Sequence, residues 1–303
     1  MKTFFLFNLL LLLSPALLAD DAVDSVKAEF KKLMTHTANQ SDESFSYFAD
    51  DCTLKLIRKV GEETSEVIFK VQNQRHEFAK RLTSQEKGEN TIGENLTFLE
   101  SGDQVLVSGT FKRTDKEDQT DFVFFYEKNK SGRHVIQKYQ VTQHSQFSKL
   151  SFPGFVEFEF PGQWVTQKPV TNPLSEDQTM RIGPAESPDR KTSVVCFGYE
   201  NTDPQIIKVF PLEKIPFIVG DPLIQSAKAK GTEVSETEIS KLDEENPDVL
   251  LFSMVLTPKE GTKNHISGIA VRGKSRIYAI QESSAFPPNR ALWKKTAASL
   301  KEL

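Results

Sequence analysis

Three runs between Gln104 and Thr142 constrain this chain more than any other stretch. Gln104–Arg113, Asp121–Glu127 and His134–Thr142 each read as a strand, and the polar segments Thr114–Thr120 and Lys128–Arg133 link them. Strands in succession with short polar links form an antiparallel meander. In the third run Val135, Gln137, Tyr139 and Val141 share one face, and His134, Ile136, Lys138, Gln140 and Thr142 share the other. That period of two belongs to a half-buried strand.

The residues before the meander supply its cover. Ala22, Val26, Phe30 and Leu33 recur at helical spacing, so residues 22–37 read as an amphipathic helix. A polar break over Asn39–Ser44 precedes a short helical turn at Phe45 that runs into a strand, Cys52–Arg58. Glu66–Val71 reads as a second short strand and Glu94–Glu100 as another. Between them Arg75, Phe78, Ala79 and Leu82 place a helix over Gln72–Leu82. Helices followed by an antiparallel meander give an α+β unit, a curved sheet with helices packed on one side.

The opening helix, Tyr47-Phe-Ala-Asp-Asp51, the helix at Gln72–Leu82 and the long strands ending in Tyr139-Gln-Val141 carry a resemblance. Residues 20–147 resemble the cone-fold superfamily of nuclear transport factor two, scytalone dehydratase, ketosteroid isomerase and the SnoaL-like cyclases. The resemblance implies a sheet curled around a cavity, and a homodimer through sheet faces. It implies no particular activity, because this fold hosts many.

Phe147–Phe155, rich in Ser and Phe and containing Pro153-Gly154, reads as a boundary. A strand at Val156–Phe160 follows, then a proline-rich stretch over Thr166–Arg190 that reads as mostly loop. Thr192–Tyr199 is a strand, Pro222–Lys230 a short helix closed by Gly231, and Val249–Leu256, His265–Arg272 and Ser275–Gln281 a second meander. Pro288–Leu303 reads as a terminal helix with Leu292, Thr296, Ala297 and Leu300 on one stripe. Phe158-Glu-Phe-Pro-Gly-Gln-Trp164 and the ending from Ile277 through Ala285-Phe-Pro-Pro and Trp293 to Leu300 resemble the Mog-like/PsbP-like fold. That resemblance implies an α/β/α sandwich over residues 155–303 that contacts other proteins.

Lys2, the apolar run Phe4–Leu13 and the small-residue end at Ala19 before Asp20-Asp21 have the form of a secretory signal peptide over residues 1–19. The expected location is exported, periplasmic or extracellular, with no integral membrane segment after cleavage. In an oxidising compartment Cys52 and Cys196 either pair as a disulfide or remain buried thiols. A net charge of −4 without a long basic run argues against nucleic acid as a partner. The 23 Phe against 5 Tyr and 2 Trp point to apolar cores or to an apolar pocket.

No His-x-x-x-His, Cys-x-x-Cys or Gly-x-Ser-x-Gly motif and no phosphate-binding glycine loop occurs, so no metal, cofactor or catalytic residue is assigned. An acid/base pocket in the cone-like unit is the enzymatic alternative: an isomerase, dehydratase or cyclase. Its candidate residues are Tyr47, Asp51, Phe78, Phe124, Gln137 and Tyr139, together with Asp50, His76 and Asp121. Gln137 matters most, because an amide on an apolar stripe needs partners or a ligand; the competing reading turns it to solvent. The expected function is an exported, non-catalytic, two-domain binding protein that takes a small apolar ligand or a protein partner.

Overall fold

The computed structural model describes residues 22–36, 42–71, 90–92, 95–113, 120–187, 192–259 and 263–303. The proposed leader, the expected helix at Gln72–Leu82, and with it Phe78 and His76, lie outside the described residues. The fold is α+β and rich in antiparallel sheet. Its contacts divide into two compact units, one of residues 1–58 and 68–144 and the other of 59–67 and 145–303.

In the first unit, residues 22–36 form helix α1, with Val26, Phe30 and Leu33 buried as their spacing predicts. A 3₁₀ turn at Asp42–Tyr47 leads into β1 (Phe48–Val60), followed by β2 (Glu63–Lys70), whose shared hairpin end, residues 59–67, is counted with the second unit, and by β3 (Asn90–Ile92), β4 (Thr97–Ser101), β5 (Gln104–Arg113), β6 (Thr120–Lys128) and β7 (His134–Ser145). The sheet runs β2-β1-β7-β6-β5-β3, with β4 also paired to β5. Strands β5 to β7 are the expected meander. Asn129 shapes the β6–β7 link, its Oδ1 accepting from the backbone N–H groups of Ser131 and Arg133, each at 3.0 Å.

One register detail changes which residues face inward. Phe125 lies opposite Lys138, but Tyr126 lies opposite Ile136, so Gln137 is the extra residue of a β-bulge. Side chains alternate along a strand, so one extra residue exchanges its faces. His134 and Ile136 point inward before the bulge, Tyr139 and Val141 after it. The uniform Val135-Gln137-Tyr139-Val141 stripe expected from sequence is therefore split.

The second unit is built on a nine-stranded sheet. After β8 (Phe147–Phe152) and β9 (Val156–Pro161) come β10 (Val165–Thr166), β11 (Val170–Pro173), β12 (Gln178–Glu186) and β13 (Ser193–Asn201). Helices α2 (Pro204–Val209) and α3 (Ile215–Ala229) follow, then β14 (Glu233–Val234), β15 (Glu238–Asp243), β16 (Asn246–Thr257), β17 (Asn264–Arg272), β18 (Ile277–Ser284), α4 (Arg290–Ser299) and β19 (Lys301–Glu302). The main path is β10-β12-β13-β18-β17-β16-β14, while β8, β9 and β19 make a separate three-stranded sheet.

Period two buries both faces of the larger sheet. Val249, Leu251, Ile269, Val271, Tyr278 and Ile280 join a core with Trp293 of α4 and the phenylalanines of β8 and β9. Their neighbours Leu250, Phe252, Ala270, Ile277 and Ala279 join another with Ile207, Leu212, Ile215 and Val219 of the α2–α3 layer. Layers on both faces of one sheet give the sandwich arrangement, and strands buried on both sides need the near-continuous apolar runs found here.

Four expectations need correction. Residues 147–152, read as a boundary, are strand β8, whose register with β9 runs from Phe147↔Pro161 to Phe152↔Val156. The proline-rich stretch holds three strands, and β12 pairs with β13 from Gln178 to Glu186. Pro184 is tolerated in β12 because its carbonyl accepts from Gln167 N on the β10 side, so its missing N–H also faces outward from the β13 ladder. The helix placed at Pro222 begins at Ile215, with Pro222 inside it on an exposed face where water can serve the carbonyl that a proline ring leaves without a donor. The terminal helix stops at Ser299, and Lys301 and Glu302 pair with Glu157 and Val156.

The cysteines do not form the disulfide. Cys52 and Cys196 are free and buried, in the cores of the first and second unit respectively. Burial, with Asp51 adding to it, raises the Cys52 thiol to about 12, and burial pushes Cys196 up as well. Both thiols should resist iodoacetamide in the native protein and take it up in denaturant without a reductant; intact-mass spectrometry counts the adducts. In the second unit a Cβ at Gly268 would lie 2.3 Å from the Ile280 carbonyl oxygen and 2.5 Å from the Phe252 ring. Gly268→Ala should therefore cost about 1–3 kcal/mol in urea unfolding, the usual range for an overpacked core.

Candidate functional site

The candidate residues of the first unit fall in separate places. Phe124 and Tyr139 stack with ring centroids 4.4 Å apart and planes 16° from parallel. Phe124 also meets Phe30 of α1 at 5.9 Å, Phe122 at 5.2 Å and Tyr126 at 6.3 Å, and Phe30 meets Phe98 at 6.0 Å. These rings pack on one another between α1 and the sheet. Burial pushes the Tyr139 phenol upward, away from any proton exchange near neutrality.

Asp51 and Gln137 form a different pair. Gln137 Nε2 donates to Asp51 Oδ1 at 2.6 Å in an exposed setting. The bulge explains this: the amide has left the apolar stripe, and the neighbouring carboxylate supplies its partner. Of the two readings open at the sequence level, the solvent-side one describes Gln137. Asp50 is also exposed, at the start of β1.

Tyr47 lies at a polar latch. The Arg133 guanidinium sits 4.9 Å from the Tyr47 ring centroid, and its Nη2 and Nε donate to Glu29 Oε2 at 2.8 and 3.1 Å. Lys32 Nζ reaches the other oxygen of Glu29 at 3.2 Å. Burial alone would raise the Glu29 carboxyl, but the hydrogen bonds and charges of Arg133 and Lys32 outweigh it and hold the group below its ordinary value. The Tyr126 hydroxyl is buried with no hydrogen-bond partner among the described residues. Burial first, then Glu29 and Tyr47, push it upward. His134, buried beside this cluster, shares a hydrogen bond of 3.0 Å between its Nδ1 and Ser25 Oγ of α1.

This arrangement ties α1 to the sheet through Glu29–Arg133 and Ser25–His134. General acid/base groups work best with pKa values near the operating pH. Here the Glu29 carboxylate is driven down and the Tyr126 phenol up, both away from that range. Sequence reading missed Glu29, Arg133, Tyr126 and His134 because their meeting is tertiary: Glu29 and Arg133 stand 104 positions apart. The available signal was Glu29 itself, an acid at the border of the Val26-Phe30-Leu33 stripe.

Two further polar groupings lie elsewhere among the described residues. Asp121 accepts from Thr110 Oγ1 at 3.2 Å and lies 2.8 Å from His144 Nε2, with the Asp121 and His144 side chains each about 40% exposed. The threonine addresses the carboxylate, not the imidazole, so the nucleophile–base contact of a hydrolytic triad is missing. In the second unit a cleft of about 290 Å3 is lined by Lys149, Glu157, Glu159, Lys295, Ser299 and Lys301. Lys149 and Glu157 pair there at 2.6 Å, so opposite charges neutralise each other within it. No group of metal-ligating side chains occurs among the described residues.

No protein-family model matches the chain, and no curated protein matches it. Solved structures similar to parts of it include a DUF3225-family protein of unknown function from Pectobacterium atrosepticum, at 16% identity and a TM-score of 0.30, covering 41% of this chain and 91% of that one. A ketosteroid isomerase-like protein from Erwinia carotovora atroseptica is similar at 15% identity and a TM-score of 0.24, covering 40% and 95%. Cyanobacterial PsbP from Synechocystis is similar at 10% identity and a TM-score of 0.32, covering 52% and 92%.

The latch has two measurable consequences. Arg133→Ala should leave the Glu29 carboxylate with Lys32 alone and cost about 1 kcal/mol, discounted for the exposed guanidinium; urea unfolding at neutral pH reads the change. His134 is held low by burial and by Lys128, so the unfolded chain binds its proton more readily. Stability should thus be full above about pH 6.5 and fall as the pH drops below it. His265, also lowered by burial and by Lys263, adds to the same slope. His134→Gln should remove part of that acid sensitivity, and the double variant with His265→Gln most of it, in Tm measured against pH.

Proposed function

We propose that the protein is a non-catalytic binding protein and that its partner is engaged at the surface. One observation carries this reading: the inner face of the first sheet is occupied by the unit's own rings, Phe30, Phe122, Phe124 and Tyr139. A small-molecule site needs a cavity with a few convergent polar groups. Here the polar candidates diverge, Asp51 with Gln137 to the exposed side and Tyr47 to the latch. A protein partner therefore suits the molecule better than a small apolar ligand. The isomerase, dehydratase or cyclase alternative would need these groups to converge on one cavity.

Export belongs to the same proposal and rests on the leader-like residues 1–19. No helix among the described residues is long and apolar enough to cross a membrane. A homodimer through the first sheet is a further proposal, readable by light scattering.

Amide NMR spectra with an apolar probe such as indole test the central point. Wild-type protein should show no saturable shifts along β5, β6 and β7, whereas Phe124→Ala, destabilised by about 3–5 kcal/mol, should open space and show them. Saturable binding by the wild-type inner face, with shifts at Tyr139 and Phe124, would restore the pocket reading.

A further inference from the structure

The outer side of the α2–α3 layer breaks the pattern of the rest of the molecule. Among the described residues eleven large apolar side chains are exposed, and five of them, Ile206, Val209, Phe217, Ile218 and Leu223, lie in this layer. Val209 is the most exposed of all at 76%, and Phe217 is 53% exposed. Helix α3 is apolar on both sides. Ile215, Val219 and Gly220 face the sheet, while Phe217, Ile218 and Pro222 face outward. A surface helix ordinarily turns a polar face to water, and clustered apolar exposure of this kind marks a contact surface.

The charges around the patch indicate what covers it. Between residues 204 and 230, Lys208, Lys214, Lys228 and Lys230 stand against Glu213 and Asp221, a net of two positive charges in a chain whose total is −4. All four lysines are exposed, Lys208 beside Val209 and Lys214 one turn before Phe217 and Ile218; Glu213 and Asp221 are exposed within a turn of Phe217 as well, and Lys228 and Lys230 at the end of α3 supply the positive excess. Aromatic and branched aliphatic side chains projecting from a helix, with lysines alongside, are the composition of an element that lies in a membrane interface. The apolar side chains enter the headgroup–acyl boundary and the ammonium groups meet anionic headgroups.

We infer that the α2–α3 face docks on the surface of a lipid bilayer containing anionic headgroups, through Val209, Phe217 and Ile218 with Lys208 and Lys214. This goes beyond the surface-binding reading above and does not rest on how the first unit is filled. Co-sedimentation of the full chain with vesicles of phosphatidylcholine, alone or mixed with phosphatidylglycerol, tests it. Mixed vesicles should capture the protein, with less capture at higher salt as the lysines are screened. Phe217→Glu/Ile218→Glu should lower the partition coefficient about tenfold or more, as expected for losing one buried apolar side chain or two. Lys208→Glu/Lys214→Glu should remove the preference for mixed vesicles. Circular dichroism and Tm establish that these surface variants remain folded. Failure of the wild-type chain to sediment with mixed vesicles would overturn the inference, as would equal capture of the Phe217→Glu/Ile218→Glu variant. Light scattering that finds a dimer split by that variant would overturn it too, assigning the face to a second copy of the chain.

Discussion

The first unit depends on one extra residue. Gln137 has no counterpart on β6, and if it were paired in regular alternation the inward set that begins at His134 and Ile136 would continue through Lys138 and send Tyr139 and Val141 to the wrong side. The Phe124–Tyr139 stack would then be lost, and with it the ring cluster that seats α1 through Phe30. The same bulge takes the amide of Gln137 out of the core and gives it to Asp51. A regular strand set by Tyr139 and Val141 would bury that amide, which without partners would cost free energy, so the bulge lets both halves of β7 face inward while Gln137 stays with Asp51.

The second unit obeys the same alternation without interruption. On β16, β17 and β18 successive residues serve opposite cores, one with Trp293 of α4 and one with Ile215 and Val219 of α3. Close packing on both faces leaves little room for a side chain where the backbone must be approached. Gly198 faces the Phe155 ring, and Gly268 lies against Phe252 and the Ile280 carbonyl. Each of these glycines is set by packing and not by turn geometry.

How much of this was legible in the sequence follows from the range of each interaction. Local periodicity placed Val26, Phe30 and Leu33 on the buried stripe of α1, and located β5, β6 and β7 and the second meander to within a few residues. A bulge leaves no local mark, so Gln137 read as a member of an apolar stripe. Prolines read as loop along residues 166–190, because whether a missing N–H matters depends on which neighbouring strand it faces. Pro222 read as a helix start for a related reason: proline favours the first turn but is tolerated inside a helix on its wet side. The latch of Glu29 with Arg133 was invisible, since no spacing rule joins a helix to a hairpin so far along the chain.

The two units place their apolar material in opposite ways, and function follows from that contrast. Phe30, Phe98, Phe122, Phe124 and Tyr139 satisfy one another, so the first unit gains stability from rings that would otherwise line a pocket. In the second unit the sheet is already covered on both faces, yet α2 and α3 carry further apolar side chains that nothing in their own unit buries. Water contact at Val209 and Phe217 costs free energy in the isolated molecule that burial against the proposed bilayer surface would recover. The proposed docking therefore looks to the outside of the α2–α3 layer, while the rings of the first unit pack on one another and seat α1.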